Sequence, residues 1–156
     1  MLHELGRRWR TARKLTWAER RLMVEAIGLL SVTTLALRLF GFQRTQAALT
    51  RSNRTRRAAP SSPQPAAARI AAIVASAGRY SIGHPRCLPQ ALALQWLMRR
   101  QGLPAELRIG VRQQEDHMEA HAWVECEGAA FDVAGGGYRG FAPFEQEIMA
   151  RQRGTS

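Results

Sequence analysis

The chain has few cysteines and no pattern of metal ligands. Its 156 residues include only two cysteines, Cys87 and Cys126, and no CxxC or Cys/His cluster with zinc-ligand spacing. Two cysteines are too few for a disulfide framework, so we expect a protein of the reducing cytoplasm, with no metal, no cofactor and no secretory signal. A hydrophobic content of 46% is enough to build one modest core.

Acidic residues are scarce, above all in the first part of the chain. Asp and Glu number 12 against 23 Lys and Arg, and residues 1–60 hold 13 of the basic side chains but only three of the acidic ones. We expect this basic region to contact something acidic, such as an anionic membrane surface, an acidic peptide or a partner protein. Nucleic acid is not an expected partner, because the basic residues are interleaved with apolar helix positions rather than with stacking aromatics on a sheet.

A long uncharged run is also missing. The most apolar segment, residues 22–42, is interrupted by Glu25 and Arg38, which leaves an uncharged run of 12 residues where a spanning helix needs roughly 20. Thr16 and Glu19 have the spacing of a capping box, so a helix is predicted to begin after Thr16. The first interpretation is an amphipathic helix packed on its own domain, and the second is a helix lying peripherally on a membrane or in a partner's apolar groove.

Composition divides the chain into three parts. Residues 43–68 are rich in Ser, Pro, Ala and Arg and lose the helical periodicity. The predicted organisation is a basic, hydrophobic, helical region at residues 1–58, a linker at residues 59–68 and a second domain at residues 69–156. This domain is predicted to begin with a helix that ends near Gly78.

Cys87 lies where the next helix is predicted to begin. Pro85 and Pro89 bracket it, Pro89 suits a position in a first turn, and Gly102 is a typical helix end. Unpaired backbone N–H groups and the helix dipole at such a start favour a thiolate. The alternative is that Cys87 is a small buried apolar residue, as most free cysteines are, and the helix position alone favours this alternative.

The remaining pattern predicts an α+β fold, in which the helix that bears the cysteine packs on a small antiparallel sheet. Residues 106–112, 120–127 and 129–134 read as strands, and the polar residues 113–119 read as a loop between the first two. The segment after Phe144 is expected to add a short strand or a loop over a cleft, because Gly135 to Gly137 can act as a hinge.

A tight turn at Glu127 and Gly128 would bring a histidine and an acid to one face of the sheet. It pairs residues whose numbers sum to 255, so that His121 lies diagonal to Asp132, whereas a three-residue turn would change the pairing. The hypothesis is a thiol peptidase. Cys87 attacks as thiolate, His121 takes up and returns the proton, and Asp132 orients the imidazole.

Four other residues near this face are assigned roles from the pattern. Trp123 shares the face of His121, and we predict that Trp123 and His84 bind substrate; a packed core tryptophan is the alternative. Strand alternation points Cys126 to the opposite face, where a core position is expected. His117 is expected to be solvated.

Two motifs together resemble a known family. They are CLPQALALQWLMRRQGLPAELRIGV at residues 87–111 and AHAWVE at residues 120–125, followed by the carboxylate of Asp132. Together they resemble the lasso peptide maturation proteases, the B2 proteins, which belong to the transglutaminase-like cysteine proteases. The resemblance implies a papain-like core and a cytoplasmic enzyme with Cys87 and His121 as catalytic residues. It leaves Glu125 or Glu127 as alternatives to Asp132, and strand parity disfavours Glu127.

The resemblance also implies partners. They are a precursor peptide made of leader and core, a separate B1-type leader-recognition protein, and the ATP-dependent lasso cyclase that closes the macrolactam after leader removal. Two other functions stay open from the residues alone. One is acyl transfer to an amine in place of water, and the other is a non-catalytic adaptor for an acidic partner or membrane surface, with Cys87 structural.

Overall fold

Three helices precede a small antiparallel sheet. The computed structural model describes residues 16–53, 58, 60–83, 85–114, 117–135 and 137–143. The elements in chain order are α1 (Trp17–Ser52), α2 (Pro63–Gly78), α3 (Cys87–Arg100), β1 (Ala105–Gln114), β2 (His117–Cys126), β3 (Ala129–Phe131) and β4 (Ala142–Pro143). The predicted α+β class is confirmed. The segment after Phe144, expected to supply a strand or a loop, lies outside the described residues.

The start of α1 is the predicted capping box. The Thr16 hydroxyl accepts a hydrogen bond from the Glu19 backbone N–H, and the Glu19 carboxylate accepts one from the Thr16 backbone N–H. These bonds satisfy N–H groups that the first turn of a helix leaves without partners. Arg69 of α2 also donates to Glu19, at 2.9 Å, which ties the two helices together at this end.

The predicted irregular stretch at residues 43–68 was wrong at both of its ends. Helix α1 bends at Gly41 and then continues to Ser52. Gly41 has a φ of 75°, which glycine adopts without strain. The indole of Trp96 donates to the Ser52 hydroxyl at 2.9 Å, so a tertiary contact fixes the last turn despite weak periodicity. Helix α2 begins at Pro63, because a proline in a first turn lacks only an N–H that has no helical partner.

All three helices and the sheet share one core. Ala26 and Leu30 of α1 belong to the same buried cluster as Leu94 and Met98 of α3 and Val124 of β2. The apolar side of α1 that faces this cluster is therefore part of the fold that holds the sheet.

The sheet has the strand order β3-β2-β1-β4. Pairing of β1 with β2 runs as far as Gln114 opposite His117, so most of the loop predicted at 113–119 is strand; residues 115–116 lie outside the described residues. Long hairpins of this kind need no hydrophobic alternation at their tips, and for this reason the polar composition misled the prediction.

The turn between β2 and β3 sets the register that was predicted. Val124 pairs with Phe131, and the numbers of paired residues sum to 255 as expected. Glu127 and Gly128 both have positive φ, at 49° and 75°, as a two-residue hairpin turn of type I′ requires.

Candidate active site

Cys87 is the first residue of α3. It follows the N-cap Arg86, whose side chain makes no capping hydrogen bond, and it is half-buried against the apolar core. Gln90 fixes the approach to the helix, because its side-chain amide donates to the Pro85 carbonyl at 2.7 Å. The thiol therefore lies at a helix start whose first N–H groups have no side-chain cap.

His121 and Asp132 lie together on β2 and just beyond β3. His121 Nε2 is 2.9 Å from Asp132 Oδ2, and the two side chains are only 6% and 8% exposed. The N–H direction at Nε2 is not aligned with Oδ2, so the contact is a close pair rather than a linear hydrogen bond. Because Nε2 faces the carboxylate, Nδ1 is the ring nitrogen left to exchange a proton with another group.

The loop after β3 holds the Asp132 carboxylate in place. The backbone N–H groups of Ala134 and Gly137 donate to its two oxygens, at 3.1 Å and 2.6 Å. Gly137 has a φ of 72°, which lets the chain fold back over the carboxylate. These two bonds fix the orientation of the carboxylate toward His121.

Aromatic rings enclose the imidazole. The ring of Trp123 stacks at 6.4 Å from that of His121, and Phe141 lies at 5.2 Å on a tilted plane. Tyr138 stacks on Trp123, and the Arg112 guanidinium lies over Phe141. These contacts bury His121 and shield its imidazole from bulk water.

Two of these rings were missed from the sequence. Tyr138 and Phe141 follow a glycine-rich loop, and no periodic pattern there indicates which side chains turn back to the sheet. Trp123 lies on the face predicted for it, but it is 3% exposed and packs on His121 and Tyr138, so its substrate-binding role stays a prediction.

Several other predicted residues lie away from the His121–Asp132 pair. Glu125, the alternative third member, pairs with Arg108 at 2.9 Å. Cys126 is 1% exposed in the core, where burial raises the pKa of its thiol. His117 is exposed, and His84 lies outside the described residues.

The three proposed catalytic residues are not joined by hydrogen bonds into one chain. Helix α3 packs on β2, but the hydrogen bonds of the described residues include none between the Cys87 thiol and the His121 imidazole. The same part of the chain has no group of three His, Cys, Asp or Glu side chains that would hold a metal. The structure thus brings His121 and Asp132 together, and the role of Cys87 stays a prediction.

One cavity lies away from this pair. It has a volume of about 510 Å³ and lies between the last turns of α1, the second half of α3 and the start of β1, next to Asn53, Trp96 and Glu106. Since Cys87 begins α3, this cavity is towards the other end of the helix from the thiol.

Comparison with known proteins gives one result. A family model described as the transglutaminase-like superfamily matches residues 29–146, a span that contains Cys87, His121 and Asp132. No curated protein and no solved structure matches the chain. The superfamily includes cysteine proteases and acyltransferases. The match covers well over half of the residues, and the chain belongs to the transglutaminase-like superfamily.

Proposed function

We propose that the protein is a cysteine peptidase that removes the leader from a ribosomally made lasso peptide precursor. The observation that carries the chemistry is the buried contact of His121 Nε2 with Asp132 Oδ2, at 2.9 Å. Cys87 supports it, because it begins the helix that packs on the strand of His121. The lasso substrate rests on the resemblance of residues 87–111 and 120–125.

The proposed reaction has two stages. His121 Nδ1 takes the proton of the Cys87 thiol, the sulfur bonds to the peptide carbonyl carbon, and the C–N bond breaks as His121 returns the proton to the leaving amine. Water, deprotonated by His121, then attacks the thioester; the C–S bond breaks, the leader leaves with a carboxylate, and His121 returns the proton to the Cys87 sulfur. Asp132 stays ionised throughout and holds the imidazolium that forms in each stage.

Backbone groups near Cys87 are the proposed oxyanion donors. The first turn of α3 presents N–H groups without a side-chain cap, and the helix dipole adds partial positive charge at the same place. The carbonyl oxygen of the scissile bond becomes negative as sulfur attacks, so donors at this helix start would stabilise it. A separate B1-type protein would deliver the leader, and the cyclase would use the freed amine.

The test is leader cleavage in a defined mixture. The full chain is incubated with the precursor peptide encoded beside it and the co-encoded leader-recognition protein, and products are read by mass spectrometry. Cys87→Ala should abolish release of the leader. Cys126→Ala is the matched control, because it removes the other thiol, which is buried on the face of β2 opposite to His121. This variant should cleave at a rate near that of the wild type.

Other outcomes of this cleavage experiment would indicate a different function. If an added primary amine is joined to the leader fragment in place of water, the enzyme is an acyltransferase of the same mechanism. If the wild type does not cleave in the complete mixture, or Cys87→Ala cleaves equally well, the thiol mechanism is wrong. A chain that still binds the precursor or its recognition protein in that case is an adaptor.

A further inference from the structure

One face of α1 is apolar and exposed along most of the helix. Its large side chains recur at helical spacing and are 57% to 82% exposed; they are Trp17, Val24, Val32, Leu35 and Leu39, which we call the α1 apolar face. Gly28 lies in the same row and has open space around it. The row ends at the bend at Gly41. At about 1.5 Å per residue it is about 33 Å long.

The opposite side of α1 is fixed to the rest of the fold. Ala26, Leu30 and Thr33 are fully buried there. Glu25 forms an ion pair with Arg100 of α3. These contacts leave the α1 apolar face pointing away from the domain, with nothing from the described residues covering it.

By length and composition alone α1 would be able to cross a membrane. Its most apolar 18-residue window has a mean hydropathy of 1.7, and 22% of that window is buried. Crossing would pull Ala26 and Leu30 out of the core and break the ion pair of Glu25 inside the bilayer. A helix held on one side and apolar on the other fits contact in the plane of a membrane surface instead.

The charges around this face have one sign. Both acids of α1 are engaged with the domain, Glu19 with Arg69 and Glu25 with Arg100. Four exposed arginines flank the face, and the ion pairs of the described residues involve none of them; they are Arg20 and Arg21 near Trp17, and Arg38 and Arg44 at the other end. Cations at both ends of an apolar ridge complement a surface of anionic headgroups.

We propose that the α1 apolar face docks the protein on an anionic membrane surface. The apolar row enters the boundary between headgroups and acyl chains, and the flanking arginines bind the lipid phosphates. Trp17, 82% exposed at one end of the row, is the residue type that favours this boundary. The proposal does not depend on peptidase activity, because no residue of the His121–Asp132 site takes part.

The test is flotation of the full chain with lipid vesicles. Wild type should float with vesicles of phosphatidylcholine and phosphatidylglycerol, and much less with phosphatidylcholine alone. Val24→Glu with Leu35→Glu should lower binding by about tenfold or more, because both positions lose apolar contact and gain a like charge to the lipid. Arg20→Gln with Arg21→Gln should lower binding to the anionic vesicles and weaken its salt dependence.

Two controls separate binding from misfolding. Met118→Glu makes the same change at a residue of β2 that is 66% exposed, and it should float like the wild type. Circular dichroism should show unchanged helix in the α1 variant, since glutamate is a better helix former than valine. Cys87→Ala should also float like the wild type, which distinguishes this proposal from the peptidase one.

Three results would overturn the proposal. The first is a wild-type chain that stays with the soluble fraction at low salt. The second is equal flotation of the Val24→Glu and Leu35→Glu double variant. The third is a concentration-dependent dimer, or a complex with the leader-recognition protein, that this double variant abolishes while vesicle binding is absent, because the face would then be a protein interface.

Discussion

Asp132 Oδ2 lies between the imidazole of His121 and the backbone N–H of Gly137, at 2.9 Å and 2.6 Å. His121 and Asp132 do not pair directly across the β2–β3 hairpin. β3 ends at Phe131, and Asp132 reaches His121 from the first position beyond the paired strand. The Asp132 carboxylate is therefore positioned by the following loop as much as by the sheet. Substitutions in that loop should alter its contact with the His121 imidazole.

The first prediction concerns the carboxylate. Asp132→Asn keeps an oxygen for one backbone N–H but removes the charge that holds an imidazolium, so leader cleavage should lose about 10²- to 10⁴-fold in kcat. Thermal unfolding should show that the variant is still folded. The measurement is single-turnover cleavage with the recognition protein present.

The matched control for this prediction is Glu125→Gln. Glu125 is the alternative third carboxylate on β2, but it pairs with Arg108 at 2.9 Å, so its neutralisation should change the rate little. A large loss for Glu125→Gln together with a small one for Asp132→Asn would reassign the third catalytic residue.

The second prediction separates the two thiols. Cys87 is half-buried, whereas Cys126 is buried in the core. Desolvation raises the pKa of the Cys126 thiol above its ordinary value, so less of it is thiolate, and burial keeps the reagent away from it. Brief treatment with iodoacetamide should alkylate Cys87 and leave Cys126 free, as read by peptide mass spectrometry. Faster labelling of Cys126 than of Cys87 in the native protein would contradict the placement of both residues.

Parts of this fold follow directly from local sequence. The Thr16 capping box and the turn at Glu127 and Gly128 depend on residues adjacent in the chain, and both were predicted with the correct register. From that register the closeness of His121 and Asp132 also follows, because a strand face is fixed by parity.

Other parts depend on contacts that the sequence does not display. The last turns of α1 are helical where Trp96, 44 residues later, bonds to Ser52. The ring of Phe141 reaches His121 through a loop with no periodicity. Tertiary contacts override local composition in both cases, and for this reason the helix was placed too short and the aromatic enclosure was missed.

The third prediction tests whether α1 is part of the domain that holds the sheet. Leu30 is fully buried in the common core, so Leu30→Ala should lower the free energy of unfolding by about 2–5 kcal/mol. Leu35 lies on the same helix but is 57% exposed, and Leu35→Ala should change it by less than about 0.5 kcal/mol. Urea unfolding without lipid measures both. Equal effects would mean that α1 does not pack as described.

The fourth prediction concerns the β2–β3 turn. Gly128 has a φ of 75° and open space at its Cβ position, so Gly128→Ala should cost about 1–2 kcal/mol from backbone strain alone. Glu127 has a φ of 49°, and Glu127→Asn should stabilise the protein because asparagine tolerates this conformation better. In urea unfolding, Gly128→Ala should lower the free energy of unfolding and Glu127→Asn should raise it. A stabilising Gly128→Ala would contradict the turn geometry.

The last prediction is a pH dependence at the start of α1. The pKa of Glu19 is held below its ordinary value, first by the backbone N–H of Thr16, then by the Thr16 hydroxyl and by Arg69. A lowered pKa in the folded state contributes stability above the pKa of the unfolded chain, and this contribution is lost as the pH falls through the folded value. The unfolding midpoint of the wild type should therefore exceed that of Glu19→Gln at neutral pH, and the gap should close in acid.

Thr16→Ala provides the comparison for that experiment. It removes the hydroxyl that caps Glu19 N–H, which costs about 1 kcal/mol at a typical N-cap, but it keeps the carboxylate and its bonds from the Thr16 backbone and Arg69. Part of its effect does not titrate, so Thr16→Ala should stay less stable than the wild type even where the gap for Glu19→Gln has closed. If the two variants instead follow the same pH curve, the carboxylate alone accounts for the cap, and the hydroxyl bond at 3.3 Å contributes nothing measurable.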